Sequence, residues 1–111
     1  MEEAEWIGVP TVVLGELWTG FLVGRERARN ETELAEFLAS PFVEELPLDR
    51  HVARTYSEIV TDLRVAGTPL PTNDIWIAAT TARAGAPLLT FDELFGKIAR
   101  IGTILLRADP D

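Results

Sequence analysis

The chain has 111 residues, of which 47% are hydrophobic and 25% charged, a composition typical of a globular protein rather than a disordered one. Its net charge of −8 is the wrong sign for holding nucleic acid by bulk electrostatics, and the absence of cysteine excludes disulfides and thiolate chemistry. Because no apolar run approaches about 18 residues and the acidic start Met1–Glu5 is unlike a signal peptide, we expect one cytoplasmic domain over residues 1–111 without membrane contact.

The chain begins with a strand and a helix. A strand is predicted near residues 5–9, and Pro10 at the first helical position then opens a helix over residues 11–23. Glu16 follows Val12 by four residues, which predicts that it lies on the apolar face of this helix. A charge there must be paired, hydrogen-bonded or bound to metal, so a buried salt bridge and a functional carboxylate both remain open.

A second helix and a second strand follow. Asn30, with Glu33 three residues later, has the spacing of a capping box and predicts a helix start. The next strand is predicted near residues 42–46. Three alternating arginines precede the helix and could grip phosphates, but on an acidic protein a solvated charged face is the favoured interpretation: Arg25, Arg27 and Arg29.

Two more helices come next in the chain. Asp49 is predicted to cap a long helix of 3.6-residue period that ends at Gly67. Thr72 is the predicted N-cap of a helix over residues 73–84, which is apolar almost all round and therefore buried. Asp74 falls in its first turn, where the helix dipole favours an anion. Taken alone, Asp74 could simply serve that helix end.

The last part of the chain contains two predicted strands. They lie near residues 87–90 and 103–107, with a short helix holding Asp92 between them. Thr90 and Glu93 have the spacing of a capping box for that helix. Strands that alternate with helices through short connections predict an α/β fold with a parallel sheet and helices on both faces.

Three carboxylates occupy positions that can converge. Asp92 lies just past a strand, Asp74 lies at a helix N-terminus, and Glu16 lies in a helix that follows a strand. Ligands of open parallel sheets gather outside the carboxyl ends of the strands. Converging carboxylates are hard oxygen ligands suited to Mg²⁺ or Mn²⁺, which can activate water and clamp a phosphodiester during attack.

At these residues the chain resembles the PIN-domain family, and especially the VapC-type toxins of bacterial toxin–antitoxin pairs. The resemblance covers nearly the whole chain. The matching stretches are residues 9–17, 69–79 with Asn73-Asp74, and 88–95 with Thr90-Phe91-Asp92, while residues 46–49 and 63–67 look like the family's connecting pieces.

This resemblance implies a three-layer α/β/α sandwich with a short parallel sheet and the activity of an Mg²⁺- or Mn²⁺-dependent endoribonuclease. Glu16, Asp74 and Asp92 would be the acidic metal ligands. Asn73 and Thr90 would be supporting polar groups. RNA would be the substrate, a cognate antitoxin the partner, and a homodimer the assembly. The net charge of −8 favours an antitoxin with a basic, arginine-bearing segment.

The family pattern also has an N-terminal strand, carrying a first Asp, which this sequence lacks. We therefore expect an N-terminally truncated version with three acidic ligands, weak or absent activity and a gap in the middle of the family's sheet. Two other functions stay open: an inactive PIN remnant that binds an antitoxin, and a receiver-like phosphoacceptor domain. The receiver needs a lysine after a strand, but the sole lysine, Lys97, falls in a short helix. The sole histidine, His51, is given no catalytic role.

Overall fold

The computed structural model describes residues 6–90 and 93–105 and separates into two compact units, Met1–Pro47 and Leu48–Asp111. Each unit combines helices with a two-stranded parallel sheet. The expectation of one domain over residues 1–111 stays a prediction. Within the described ranges, no helix has both the length and the apolar character that crossing a membrane requires.

In the first unit, two helices follow the first strand in the chain and precede the second, and the two strands pair with each other. Its elements are β1 (Ile7–Pro10), α1 (Thr11–Val23), α2 (Arg27–Leu38) and β2 (Val43–Leu46). The strands run parallel, in register from Ile7 opposite Val43 to Pro10 opposite Leu46. The Thr11 hydroxyl donates a hydrogen bond to the carbonyl of Leu46 at 2.9 Å, which ties the start of α1 to the end of β2. The predictions of both strands and of the helix over residues 11–23 are confirmed.

The core of this unit is small. Its fully buried members are Val9, Leu14 and Leu34, against which half-buried side chains pack from the helices and β2: Val13, Phe21, Leu38 and Val43. Several other apolar side chains of α1 stay exposed, among them Trp18 at 43% and Leu22 at 58%.

The predicted capping role of Asn30 is wrong, because α2 begins three residues earlier, at Arg27. Two ion pairs across one helical turn stabilise that earlier start: Arg27 with Glu31 at 2.8 Å and Arg29 with Glu33 at 3.1 Å. The interpretation of these arginines as a solvated charged face is confirmed for Arg27 and Arg29, whose charges are already matched by glutamates.

The second unit contains the longest helix. Its elements are α3 (Arg50–Ala66), α4 (Thr72–Ala84), β3 (Leu88–Thr90), a 3-10 helix (Glu93–Lys97) and β4 (Thr103–Leu105). β3 and β4 are parallel, with Leu88 opposite Thr103. Both strands lie within their predicted ranges, and the 3-10 helix takes the place of the predicted short helix.

Local sequence signals set the ends of α3 and α4. The Asp49 carboxylate accepts a hydrogen bond from the backbone N–H of Val52 at 2.9 Å, as the predicted cap requires. Gly67 ends α3 at φ +70° and Gly85 ends α4 at φ +69°. This left-handed conformation strains any residue with a Cβ, which explains glycine at both positions. The predicted Asp49 cap and the predicted C-terminal ends of both helices are confirmed.

Helices α3 and α4 form an antiparallel pair joined by residues 67–71, since so short a connection reverses the chain. The rings of Tyr56 and Trp76 stack across the pair, with centroids 3.9 Å apart and planes inclined by 19°. Ile59 of α3 is only 1% exposed. Most of α4 is buried after its first turn, and the hydroxyls of Thr80 and Thr81 donate to carbonyls one turn earlier. The prediction of a buried helix is confirmed.

Candidate active site

Asp74 lies in the first turn of α4 and is half-buried. The helix starts one residue earlier than predicted, at Thr72, with Pro71 as the capping residue. The predicted cap by Thr72 is therefore wrong. Pro71 has φ −57° and ψ 145°, an extended geometry that proline adopts readily at a helix start, where a missing N–H costs nothing.

This position suits a reactive carboxylate. Unpaired N–H groups and the helix dipole make a helix N-terminus favourable for negative charge, and the apolar body of α4 anchors it against α3. The neighbouring Asn73 is exposed. Successive helical residues are turned by about 100°, so Asn73 and Asp74 leave the helix in different directions.

Glu16 is exposed on α1, which corrects the prediction that it lies on a buried apolar face. The fully buried residue of α1 is Leu14. Two helical positions correspond to about 200° of rotation, so Glu16 leaves the helix on nearly the opposite side from Leu14. The prediction is wrong because α1 is apolar almost all round, so its residue pattern marks no single face as the buried one.

The other two predicted site positions are only partly covered. Asp92 lies outside the described residues, and for Thr90 only the backbone is described, as the last residue of β3. Glu16 belongs to the first unit and Asp74 to the second. The convergence of Glu16, Asp74 and Asp92 therefore stays a prediction.

No group of three acidic, histidine or cysteine side chains within residues 6–90 and 93–105 is arranged to hold a metal ion. Asp92 is outside that set, so the full predicted ligand group is not covered by this finding. The chemistry of the donors does fit the expected ion. Glu16, Asp74 and Asp92 offer only carboxylate oxygens, the ligands that Mg²⁺ and Mn²⁺ prefer.

A cavity of about 190 Å³ lies between α3 and the start of α4. Apolar side chains form most of its wall, joined by Tyr56, Arg64 and Thr72. Asp74 is not part of the wall. Among the described residues, the carboxylate of Asp74 and this cavity are thus separate features of one helix start.

A group of basic residues that was not singled out from the sequence lies at the other end of the same helix pair. Arg50, His51 and Arg54 lie in the first turns of α3, and Arg83 lies in the last turn of α4. The sequence does contain a signal for this group. Arg50 and Arg54 are four residues apart at the start of a helix, where positive charge opposes the helix dipole.

The chain is similar to known proteins over nearly its whole length. The family model described as PIN domain matches residues 1–101. Ribonuclease VapC4 of Mycobacterium tuberculosis is 32% identical over 102 residues, which cover 92% of this chain and 78% of that protein.

Solved structures agree with this match. VapBC2 from Rickettsia felis, bound to a DNA fragment from its promoter, gives a TM-score of 0.81 at 25% identity and covers 90% of this chain and 74% of that one. The toxin–antitoxin structure VapBC-5 from Mycobacterium tuberculosis gives 0.74 at 30% identity and covers 87% and 79%. The predicted PIN-like α/β fold is confirmed. From its fold, its family match and its VapC relatives, this chain belongs to the PIN-domain family.

Proposed function

We propose that the chain is a metal-dependent endoribonuclease of the VapC toxin type. The observation that carries the proposal is the half-buried carboxylate of Asp74 at the start of the apolar helix α4, in a chain 32% identical to a ribonuclease. The comparisons lend support to neither an inactive remnant nor a receiver domain.

In this proposal Glu16, Asp74 and Asp92 bind Mg²⁺ or Mn²⁺ through their carboxylates. The bound ion would lower the pKa of water and neutralise charge on the phosphodiester. Asp74 would contribute a ligand held by a rigid helix, and Glu16 one that is open to solvent. Asn73 and Thr90 would orient the substrate or the ligands through hydrogen bonds.

The exposed apolar side chains of α1 support a protein partner. Trp18 and Leu22 lie one turn apart, and Val23 is 84% exposed. Apolar side chains grouped on one exposed helix are typical of an interaction surface. The partner that we propose is a cognate antitoxin, as in the VapBC structures, with a basic segment that suits the net charge of −8. An RNA substrate, a homodimer and a cytoplasmic location belong to the same proposal.

The test is cleavage of single-stranded RNA with and without Mg²⁺ or Mn²⁺. With three acidic ligands, we expect cleavage to be weak and to require the metal. The Asp74→Asn variant should lose this cleavage while it keeps the wild-type circular dichroism spectrum. The matched control is Glu36→Gln, which also converts an exposed carboxylate to an amide, on α2, and should cleave like the wild type. Cleavage that persists in EDTA, or equal activity of the Asp74→Asn variant, would rule out this function.

A further inference from the structure

The net charge is divided unevenly between the two units. Residues 1–47 carry ten acidic and three basic side chains, whereas residues 48–111 carry eight acidic and seven basic ones. The acidic excess that opposes nucleic-acid binding therefore belongs to the first unit. The second unit, which contains Asp74, is close to neutral, so a polyanion meets much less repulsion there.

Four basic side chains gather at one end of the helix pair, and we call them the basic patch: Arg50, His51, Arg54 and Arg83. All four are exposed. Arg50 and Arg54 are one turn apart on α3. The patch is brought together by the antiparallel packing of α3 against α4.

The stacked rings of Tyr56 and Trp76 fix the alignment of the two helices. From that stack, Arg50 is six residues back along α3, or about 9 Å, and Arg83 is seven residues forward along α4, or about 10 Å. Because the helices run in opposite directions, both displacements lead to the same end of the pair.

The arginines of the patch differ from those of α2 in how they are paired. Arg27 and Arg29 each bind a glutamate one turn later. Within the part of the chain that the structure describes, Arg50, Arg54 and Arg83 form no ion pair. Their charges are available to a ligand.

Asp49, a carboxylate beside the patch, is already engaged. Asp49 accepts the N–H of Val52, and this hydrogen bond is the main cause of its lowered pKa, to which the charges of His51 and Arg83 add. Cations in the first turn of a helix oppose the dipole, and like charges one turn apart repel. Local stability thus disfavours Arg50 and Arg54 where they stand, and conflicts of this kind concentrate at functional sites.

We propose that the basic patch binds the phosphate backbone of single-stranded RNA on the same helix pair that carries Asp74. This proposal rests on the proposed nuclease function and locates a contact for its substrate. Asp74 and Arg83 are nine residues apart on α4, or about 13 Å along the axis. At about 3.4 Å per stacked nucleotide, roughly four nucleotides span that length. The patch anchors a strand without reading its bases, since arginine contacts to phosphate carry no sequence information.

The test compares two double variants of equal charge change in the full chain. Arg50→Gln/Arg54→Gln removes the charges on α3, and Arg27→Gln/Arg29→Gln removes the paired charges on α2. A fluorescently labelled 20-nucleotide single-stranded RNA is titrated in EDTA, which prevents cleavage, at several salt concentrations. The slope of log K against log salt is negative, and each lost phosphate contact makes it less steep by about 0.7. We expect the slope to flatten by about 1.4 for the first variant and to stay at the wild-type value for the second.

Arg50→Glu separates binding from stability. It places an anion in the first turn of α3 and an opposite charge one turn before Arg54, so the melting temperature should rise while RNA binding weakens. Equal salt slopes for the two double variants would overturn the proposal. Metal-dependent cleavage by the wild type is measured separately. If the wild type cleaves RNA but Arg50→Gln/Arg54→Gln leaves the salt slope unchanged, only this inference is refuted. If that variant flattens the salt slope but the wild type does not cleave RNA, only the proposed nuclease function is refuted.

Discussion

Gly67 is the first residue of the connection from α3 to the helix that carries Asp74. Its replacement by alanine tests how much the left-handed backbone conformation at this position contributes to stability. The residue has φ +70°. The left-handed conformation costs an alanine about 1–2 kcal/mol, whereas its smaller freedom in the unfolded chain returns about 0.4–1 kcal/mol. A Cβ at this position would meet no atom within 4 Å, so no clash adds to the cost. We expect Gly67→Ala to lower the free energy of unfolding by about 1 kcal/mol.

Two other glycines make matched controls. Gly85 has φ +69° and equally open surroundings, so Gly85→Ala should cost the same amount. Gly20 lies inside α1, and a Cβ there also meets nothing within 4 Å. Gly20→Ala should therefore stabilise the chain by about 0.5–1 kcal/mol, since glycine is the less favourable residue inside a helix.

The assay is urea unfolding followed by circular dichroism. Gly67→Asn should lose less stability than Gly67→Ala, because asparagine tolerates the left-handed conformation better. The reasoning is refuted if Gly67→Ala and Gly20→Ala shift the unfolding midpoint in the same direction, since one geometric difference is the whole basis of the opposite signs.

Two further predictions concern α3. A hydrogen bond from Arg100 holds the pKa of Asp62 below its ordinary value of 3.8, so the stabilisation is present above that value and is lost as the pH falls through the lower folded-state pKa. Asp62→Asn should have a lower melting temperature than the wild type at pH 7. This difference in melting temperature should disappear in acid and become smaller in high salt. A difference that is unchanged at pH 2 would contradict the ion pair. For the stack, a double-mutant cycle of Tyr56→Leu and Trp76→Leu should give a coupling of about 0.5–1.5 kcal/mol beyond area burial, and additive losses would show that the rings do not interact.

The sequence predicts elements best where a local signal stands at each end. Asp49 and Gly67 bracket α3, and both signals act through the backbone of the helix itself. The start of α2 was misplaced because Asn30 matches a capping pattern that the ion pair between Arg27 and Glu31 overrides. Ion pairs one turn apart and capping residues both act over a few residues, and here they favour different helix starts. The sequence alone does not show which of the two determines where the helix begins.

The candidate site was less predictable than the elements. Asp74 could be placed, since an apolar run following two prolines determines both its helix and its turn. Glu16 could not, because the buried face of α1 depends on the packing of Leu14 with Leu34 from another helix. Such tertiary contacts leave no periodic mark in a helix that is apolar on every side.

The spacing of the contacts along the chain has a consequence for folding. β3 and β4 pair across 12 intervening residues, and β1 and β2 across 32. Loop-closure entropy makes the longer closure costlier by roughly 0.8–0.9 kcal/mol. The C-terminal unit therefore has the lower entropic barrier, although the ribosome releases the N-terminal unit first. During synthesis the apolar side chains of α1 emerge before the chain that folds most readily, which lengthens the time for which a partner or a chaperone can reach them.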